Sequence, residues 1–544
     1  MYYYKVLVAS PRYHGADALT YGHDKSLKQG VLVVVPLQHQ NILGIVTAKT
    51  SKPPFKTKAI FQVLDIPTMP TQSLKLLDWL RDFYPAPLGS IVTQFLPSQL
   101  AAKPRPSTDV LKRVQPTPRN DLPPLTKEQE AALAIVRTKS PKHSYLLHGD
   151  TGTGKTRLYL ELTQQSLTAH NDVLILTPEI GLTPQLVTTF EHMFPGRVIT
   201  LHSGLSAGAR RDAWLRVLTA IEPLIVIGPR SALFAPFKNL GLVVVDEAHD
   251  SAYKQEQAPY YYSLRVAAKL ADIHGAKLLM GTATPNVTDY YIAEAKGVPI
   301  LRMQELAKGP QAKPHIALIP AREQSHFSRS AYLSDEIVKA IGHSLNKDEQ
   351  SLVFLNRRGT ARLVMCHDCG WQARCPVCDL PLTYHGDTHT MRCHTCGYKG
   401  VAPAYCPACK STEIIYKSAG TKAIVDSLER LFPKASIKRF DTDNKKAESL
   451  EQQYRTITEG NVDILVGTQL LTKGLDLPRL SVVGVVTADT SLSFPDYTAE
   501  ERTYQVLTQI IGRIGRGHRA GTAIIQTYNA DSPAIKAAIQ KDWQ

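Results

Sequence analysis

Cysteine is missing from almost the whole of this 544-residue chain: all eight lie between Cys366 and Cys409. That absence excludes a disulfide framework spread through the fold. Long apolar runs are missing too, since none reaches the ~18 residues needed to span a bilayer, so no membrane is expected. The opening MYYYKVLVAS has no apolar stretch after a basic head, which predicts no signal peptide and a cytoplasmic chain with reduced thiols. Acidic residues are in short supply, with 48 Asp and Glu against 63 Lys and Arg and a formal charge of +15. A deficit of that sign points to a polyanionic partner, most simply nucleic acid. With 43% hydrophobic residues, the chain can bury large cores, and its length implies several domains.

The cysteines that are present form four Cys-x-x-Cys pairs: Cys366/Cys369, Cys375/Cys378, Cys393/Cys396 and Cys406/Cys409. Zinc takes four soft ligands in a tetrahedron, and each pair presents two thiolates to one ion. Two Zn²⁺ are therefore expected. Sequential pairing joins the first two pairs and the last two. Nested pairing joins Cys366, Cys369, Cys406 and Cys409 around one ion and the inner four around the other. The short spacing from Cys369 to Cys375, against the hairpin-like loop from Cys378 to Cys393, favours nesting. Four thiolates leave no open position, so both sites should be structural. With the metals bound the charge falls to about +11.

Residues 1–103 read as a small β-rich domain with one helix. GVLVVVPLQ and NILGIVTA look like buried strands split by a turn, and Leu74, Leu77, Leu80 and Phe83 share a helical face. A Pro-rich linker follows at 104–124. From 125 to 304, YLLHG, DVLILTP, LIVIGP, LVVVDEAH and KLLMGTATP are apolar runs of the kind found in parallel sheets covered on both faces. A second α/β series starts at 305–365, is interrupted by the zinc insert at 366–409, and resumes over 410–544 with VDILVGTQ, SVVGVVTAD and TAIIQTYN.

Gly149, Asp150, Thr151, Gly152, Thr153, Gly154, Lys155 and Thr156 fit GxxxxGK[ST] between a strand and a helix. ATP is the expected ligand, with backbone N–H groups around the phosphates, Lys155 on the β/γ oxygens and Thr156 on Mg²⁺. Val243 to His249 supplies a strand ending in Asp246, for the Mg²⁺, and Glu247, to polarise the attacking water. His249 is spaced for a contact that senses nucleotide.

DEAH, GTATP (Gly281 to Pro285) and QIIGRIGR (Gln509 to Arg516) resemble superfamily 2 helicases. The resemblance implies two RecA-like parallel-sheet lobes with ATP between them, Arg513 and Arg516 as arginine fingers, and Gln129 as an adenine reader. Longer segments, among them TPEIGLTPQ, GPRSALFAPFKNLG, DEAHDSAYKQ, FLNRRG, CHDCGW and GTQLLTKG, are similar to the primosomal replication-restart helicases over nearly the whole chain. That resemblance implies a 3′→5′ DNA translocase acting on forked and single-stranded DNA. It also implies nested zinc sites, with single-strand-binding protein and helicase-loading primosome factors as partners. Tyr253, Lys254, Tyr260, Tyr261 and Arg265 look like the family's aromatic-rich loop, with rings stacking on unpaired bases. Lys58 matches a basic residue of the family's pocket for a 3′ nucleotide end.

Departures accompany the resemblance. Thr20 stands where the pocket has Asp, and Gln38 near an expected Gly. Ile514 replaces a usual Ala, and Lys422 a usual Glu. Only the Pro-rich linker occupies the place of a winged-helix domain, and the chain stops at Gln544 soon after the last lobe-2 strand, so a minimal form is expected. Two other functions fit the sequence: a general superfamily 2 nucleic-acid translocase, and a fork-binding assembly platform with little unwinding.

Overall fold

The computed structural model describes residues 1–101, 122–138, 143–178, 183–307, 309, 314–355, 364–366, 368–369, 371–377, 382–385, 388–393, 396–415, 421–440, 461–468, 477, 479–492, 496–514 and 521–543. Most of the Pro-rich linker thus lies outside the described residues. Contacts divide the chain into two compact units, Met1–Ala307 and Lys308–Gln544, a boundary three residues beyond the one expected at 304/305.

The first unit opens with strands β1 (Tyr2–Val8), β2 (Leu19–His23), β3 (Leu32–Leu37), β4 (Gln40–Thr50), β5 (Lys58–Ala59) and β6 (Gln62–Val63). They form one sheet in the order β5-β2-β1-β4-β3-β6. The β3–β4 hairpin is the expected one, with Leu37 opposite Gln40. Two helices follow rather than one, Thr71–Phe83 and Leu88–Phe95. The second, LGSIVTQF, buries all its residues but Thr93 and Gln94. At eight residues it is too short for its apolar face to establish a 3.6-residue period in the sequence. Leu74, Leu77 and Leu80 are buried as the spacing predicts, but Phe83 is 46% exposed and stacks on Trp79 at 5.0 Å.

This domain shares its apolar core with the lobe that follows. Leu77, Leu80 and Phe95 belong to one buried cluster with Phe234, Tyr261 and Leu264, and the Phe95 and Phe234 rings lie 5.1 Å apart. The lobe contains β7 (Ser144–Gly149), β8 (Asp172–Leu176), β9 (Val198–Thr200), β10 (Ile225–Gly228), β11 (Leu240–Val245), β12 (Lys277–Thr282) and β13 (Ile300–Met303). All neighbours are parallel in the order β13-β7-β12-β11-β8-β10-β9. The five apolar runs seen in the sequence are the five inner strands. The edge strands β9 and β13 are short and carry no long apolar run, which is why the pattern missed them.

The second unit repeats the architecture with β14 (His315–Pro320) and β15 (Gln350–Phe354) before the insert. The insert holds β16 (Met365–Cys366), β17 (Thr383–His385), β18 (Thr390–Arg392), β19 (Lys399–Val401) and β20 (Ile414–Ile415). After it come β21 (Ile437–Phe440), β22 (Ile464–Gly467), β23 (Leu480–Val485) and β24 (Thr522–Thr527). The lobe sheet is parallel, ordered β14-β24-β23-β15-β22-β21. In the insert β17, β18 and β19 form an antiparallel sheet, and β16 pairs antiparallel with β20, joining the entry of the insert to its exit.

Candidate nucleotide, zinc and DNA sites

Strand β7 delivers Gly149 to the C-terminal edge of the first lobe's sheet, and the helix Lys155–Thr168 begins six residues on. Gly152 and Gly154 between them have φ of +89° and +78°, conformations that side chains adopt only with strain. The loop's amides and the positive end of the helix dipole make an anion cradle. Lys155 Nζ donates to the Gly149 carbonyl at 2.8 Å, and Asp150 pairs with Arg302 of β13 at 2.8 Å. Gln129 is buried. Its Oε1 accepts from the Thr126 N–H at 3.0 Å and its Nε2 donates to the Thr153 carbonyl at 2.8 Å. In this structure its amide ties the lobe's first helix to the phosphate loop.

Asp246 and Glu247 follow directly from β11. The Asp246 carboxyl is pushed up to about 6, first by burial and then by the Glu247 charge, with Lys155 pulling the other way. Its Oδ1 accepts from the Tyr159 hydroxyl at 2.9 Å, and its backbone carbonyl from the Tyr253 hydroxyl at 2.6 Å. Glu247 sits in the left-handed region at φ 48°, a strain of about 1–3 kcal/mol of the sort stored at functional sites. Its Oε2 is buried without a hydrogen-bond partner among the described residues. His249 Nδ1 lies 2.6 Å from Thr282 Oγ1 and 3.5 Å from Glu247 Oε2, so it links the DEAH turn to the GTATP turn. A raised buried carboxyl beside a carboxylate oxygen that accepts no hydrogen bond fits a divalent cation, which favours the charged form of both.

Of the two arginines expected across from this site, Arg513 is buried just past the helix Ala499–Ile511, and Arg516 lies outside the described residues. Ile514 is buried in the second lobe's core, and a Cβ at Gly521 would stand 2.0 Å from its Cγ2.

The aromatic loop departs from expectation. Tyr253 is 0% exposed and Tyr261 4% exposed. The first hydrogen-bonds Asp246, and the second packs edge-on against Phe234 at 5.4 Å. Neither ring is available to stack on a base. Tyr253 occupies a 3₁₀ turn that folds back beneath Asp246, and Tyr261 faces the core shared with the N-terminal domain. Lys254, Tyr260 and Arg265 are exposed, with the Arg265 guanidinium 5.3 Å from the Phe83 ring centre. The loop is tied down by Arg230, which donates to the Ala252 carbonyl at 2.6 Å, and by Tyr84, whose hydroxyl accepts from the Tyr262 N–H at 3.3 Å.

Cys366, Cys369, Cys406 and Cys409 bring their sulfurs within 4.8 Å of one another, and Cys375, Cys393 and Cys396 do the same. Cys378 lies outside the described residues. The arrangement is the nested one. Sγ–Sγ separations of 3.5 Å for Cys366–Cys409 and 3.4 Å for Cys375–Cys396 are far too long for a disulfide. They approach the roughly 3.8 Å edge of a tetrahedron with Zn–S near 2.3 Å. The Cys393 turn closes with the Gly397 N–H on the Cys393 carbonyl at 3.0 Å, Gly397 taking φ +78°.

In the N-terminal sheet, Lys58 pairs with Tyr21, next to Thr20, and its Nζ donates to the Gln38 carbonyl at 3.3 Å. Gln38 has φ 53°, the conformation for which a Gly is the natural choice. The sequence singled out these three residues, and the fold brings them together. It did not single out Tyr159, Tyr84, Arg230 or Arg302. The signal for Tyr159 was a lone hydroxyl on the sheet-facing side of the helix after the phosphate loop.

Comparison with known proteins agrees with this geometry. Residues 126–291 match the DEAD/DEAH box helicase family and 408–521 the helicase conserved C-terminal domain. Residues 5–97 match the 3′DNA-binding domain and 375–399 the PriA DNA helicase Cys-rich region. Replication restart protein PriA of Bacillus subtilis is 39% identical over 425 residues, covering 77% of this chain and 52% of the relative. That of Synechocystis is 39% identical, covering 76% and 51%. The chain thus spans about half the length of these two relatives. PriA of Treponema pallidum is 33% identical over 523 residues, covering 95% of this chain and 78% of the relative. With two parallel-sheet helicase lobes, a 3′DNA-binding domain and a nested Cys-rich insert, the chain belongs to the PriA replication restart family.

Proposed function

We propose that this chain is an ATP-dependent 3′→5′ DNA translocase and helicase that recognises stalled or repaired forks and promotes primosome assembly. The observation that carries the reading is the convergence of Lys155, Asp246 and Glu247 on one cradle, in the same compact unit as the 3′DNA-binding domain. In this reading Lys155 would hold the β/γ phosphates, and Thr156 and Asp246 would hold Mg²⁺, which when bound would supply positive charge to the phosphates. Glu247 takes the proton of the attacking water, and Arg513 and Arg516 are the proposed arginine fingers. Lys58 and Gln38 form the floor of a 3′-end site, and Lys254, Tyr260 and Arg265 meet the strand. Single-strand-binding protein and helicase-loading factors are the proposed partners.

The test is ATP hydrolysis on forked DNA with and without a 3′ end at the branch, on single strands, on duplex and on RNA. Fork-preferred stimulation, cut at least about 10²-fold by Lys155→Ala, is the expected result. Equal stimulation by RNA, or by any single strand, defeats the fork assignment and leaves a general translocase.

A further inference from the structure

Tyr159 belongs to none of the helicase motifs, yet it touches two of them and stands one turn from a third. It lies four residues after Lys155 on the helix that leaves the phosphate loop, and it is 0% exposed. Its hydroxyl donates to Asp246 Oδ1 at 2.9 Å. On the other side stands Gly281, the first residue of GTATP, where an added Cβ would come 1.9 Å from the hydroxyl and 3.0 Å from Cζ. The Gly281 carbonyl in turn accepts from the Ala248 N–H at 2.9 Å. The ring is therefore fixed by the sheet on one side and committed to the carboxylate on the other. A tyrosine hydroxyl is a donor at neutral pH, and together with the Glu247 N–H, which also hydrogen-bonds the Asp246 carboxyl, it sets the orientation of that group.

We propose that Tyr159 is the positioning residue for the nucleotide's Mg²⁺: its bond to Oδ1 fixes the orientation in which the Asp246 carboxylate would meet the cation, with Gly281 providing the space in which the hydroxyl sits. The inference rests on the motor reading only in taking Asp246 as the Mg²⁺ ligand. A hydrogen bond to a charged group is strong enough for its loss to change an equilibrium by about tenfold or more. Tyr159→Phe keeps the ring and removes only the donor. Gly281→Ala acts from outside, displacing the hydroxyl without removing any group of the site.

The experiment measures binding of a fluorescent ADP to the purified full chain as Mg²⁺ is varied, beside ATP hydrolysis and thermal melting. In Tyr159→Phe the Mg²⁺ concentration for half-maximal binding should rise about tenfold, while affinity in EDTA stays within twofold of wild type; Gly281→Ala should shift in the same direction. A merely structural tyrosine lowers the melting temperature and leaves the Mg²⁺ midpoint unmoved. A midpoint within twofold of wild type in both variants overturns the proposal. Should the wild type bind nucleotide with Mg²⁺ dependence and hydrolyse no ATP on any DNA, the motor reading fails, and the Tyr159 comparison still gives its answer.

Discussion

A tyrosine that suits a base also suits a core, and Tyr253 is the case in point. Its ring is large, flat and amphipathic, so composition alone makes it as good a stacking platform as an exposed neighbour. Burial decides: Tyr253 is 0% exposed and Tyr260 is 56% exposed. Tyr253→Ala should therefore cost about 3–5 kcal/mol of stability, as large buried truncations do. It should impair hydrolysis on every DNA alike. Tyr260→Ala should leave the denaturation midpoint within about 0.5 kcal/mol of wild type and weaken binding of single strands. Denaturant titration together with DNA binding by anisotropy separates the two, and a Tyr253→Ala protein of full stability that lost only DNA affinity would restore the stacking role. Glu247 is the other residue whose backbone speaks for its chemistry. Glu247→Gln should retain nucleotide binding and lose about 10²–10³-fold in turnover, which single-turnover hydrolysis reads directly.

Among the elements, what the sequence made legible followed from discrete requirements. Zinc needs four thiolates, so eight clustered cysteines foretold two sites, and GxxxxGK[ST] foretold the Lys155 cradle. Inner strands buried on both faces read as apolar runs, whereas β9, β13 and the helix Leu88–Phe95 are too short for a period to be read from the sequence. Nor could spacing announce that Tyr261 points inward, because that depends on the N-terminal domain packing over it. Nesting makes an element-scale prediction. Cys366→Ser with Cys406→Ser strikes one site and should leave one zinc per chain, while Cys366→Ser with Cys375→Ser strikes both and should leave less. Equal zinc content in the two double variants, measured by elemental analysis, would be incompatible with the nested pairing.

On the scale of the whole molecule, the N-terminal domain is built into the first lobe by a shared core, so Phe95→Ala should lower the stability of Met1–Ala307 by about 3–5 kcal/mol. Denaturation monitored in both the N-terminal sheet and the lobe should then show a common shift. Acid should weaken the same unit through His274, which burial pushes down to about 4 and whose Nδ1 lies 3.3 Å from the Leu240 N–H. The unfolded imidazole takes a proton below about 6.5 while the folded one resists until about 4. Stability is therefore full above that window and falls as pH drops through it, by about 1–2 kcal/mol at pH 5 after allowance for partial exposure. Comparing wild type with His274→Gln by urea denaturation at pH 7.5 and pH 5 isolates that share. The pairing of β16 with β20 carries a consequence for how such a chain can vary. Because the strand entering the zinc insert and the strand leaving it lie side by side, the insert makes no demand on the reach of its flanks. Closure entropy rises only with the logarithm of loop length. The segment is therefore a cassette, open to lengthening, shortening or exchange for a plain hairpin, with the parallel register of the lobe sheet untouched.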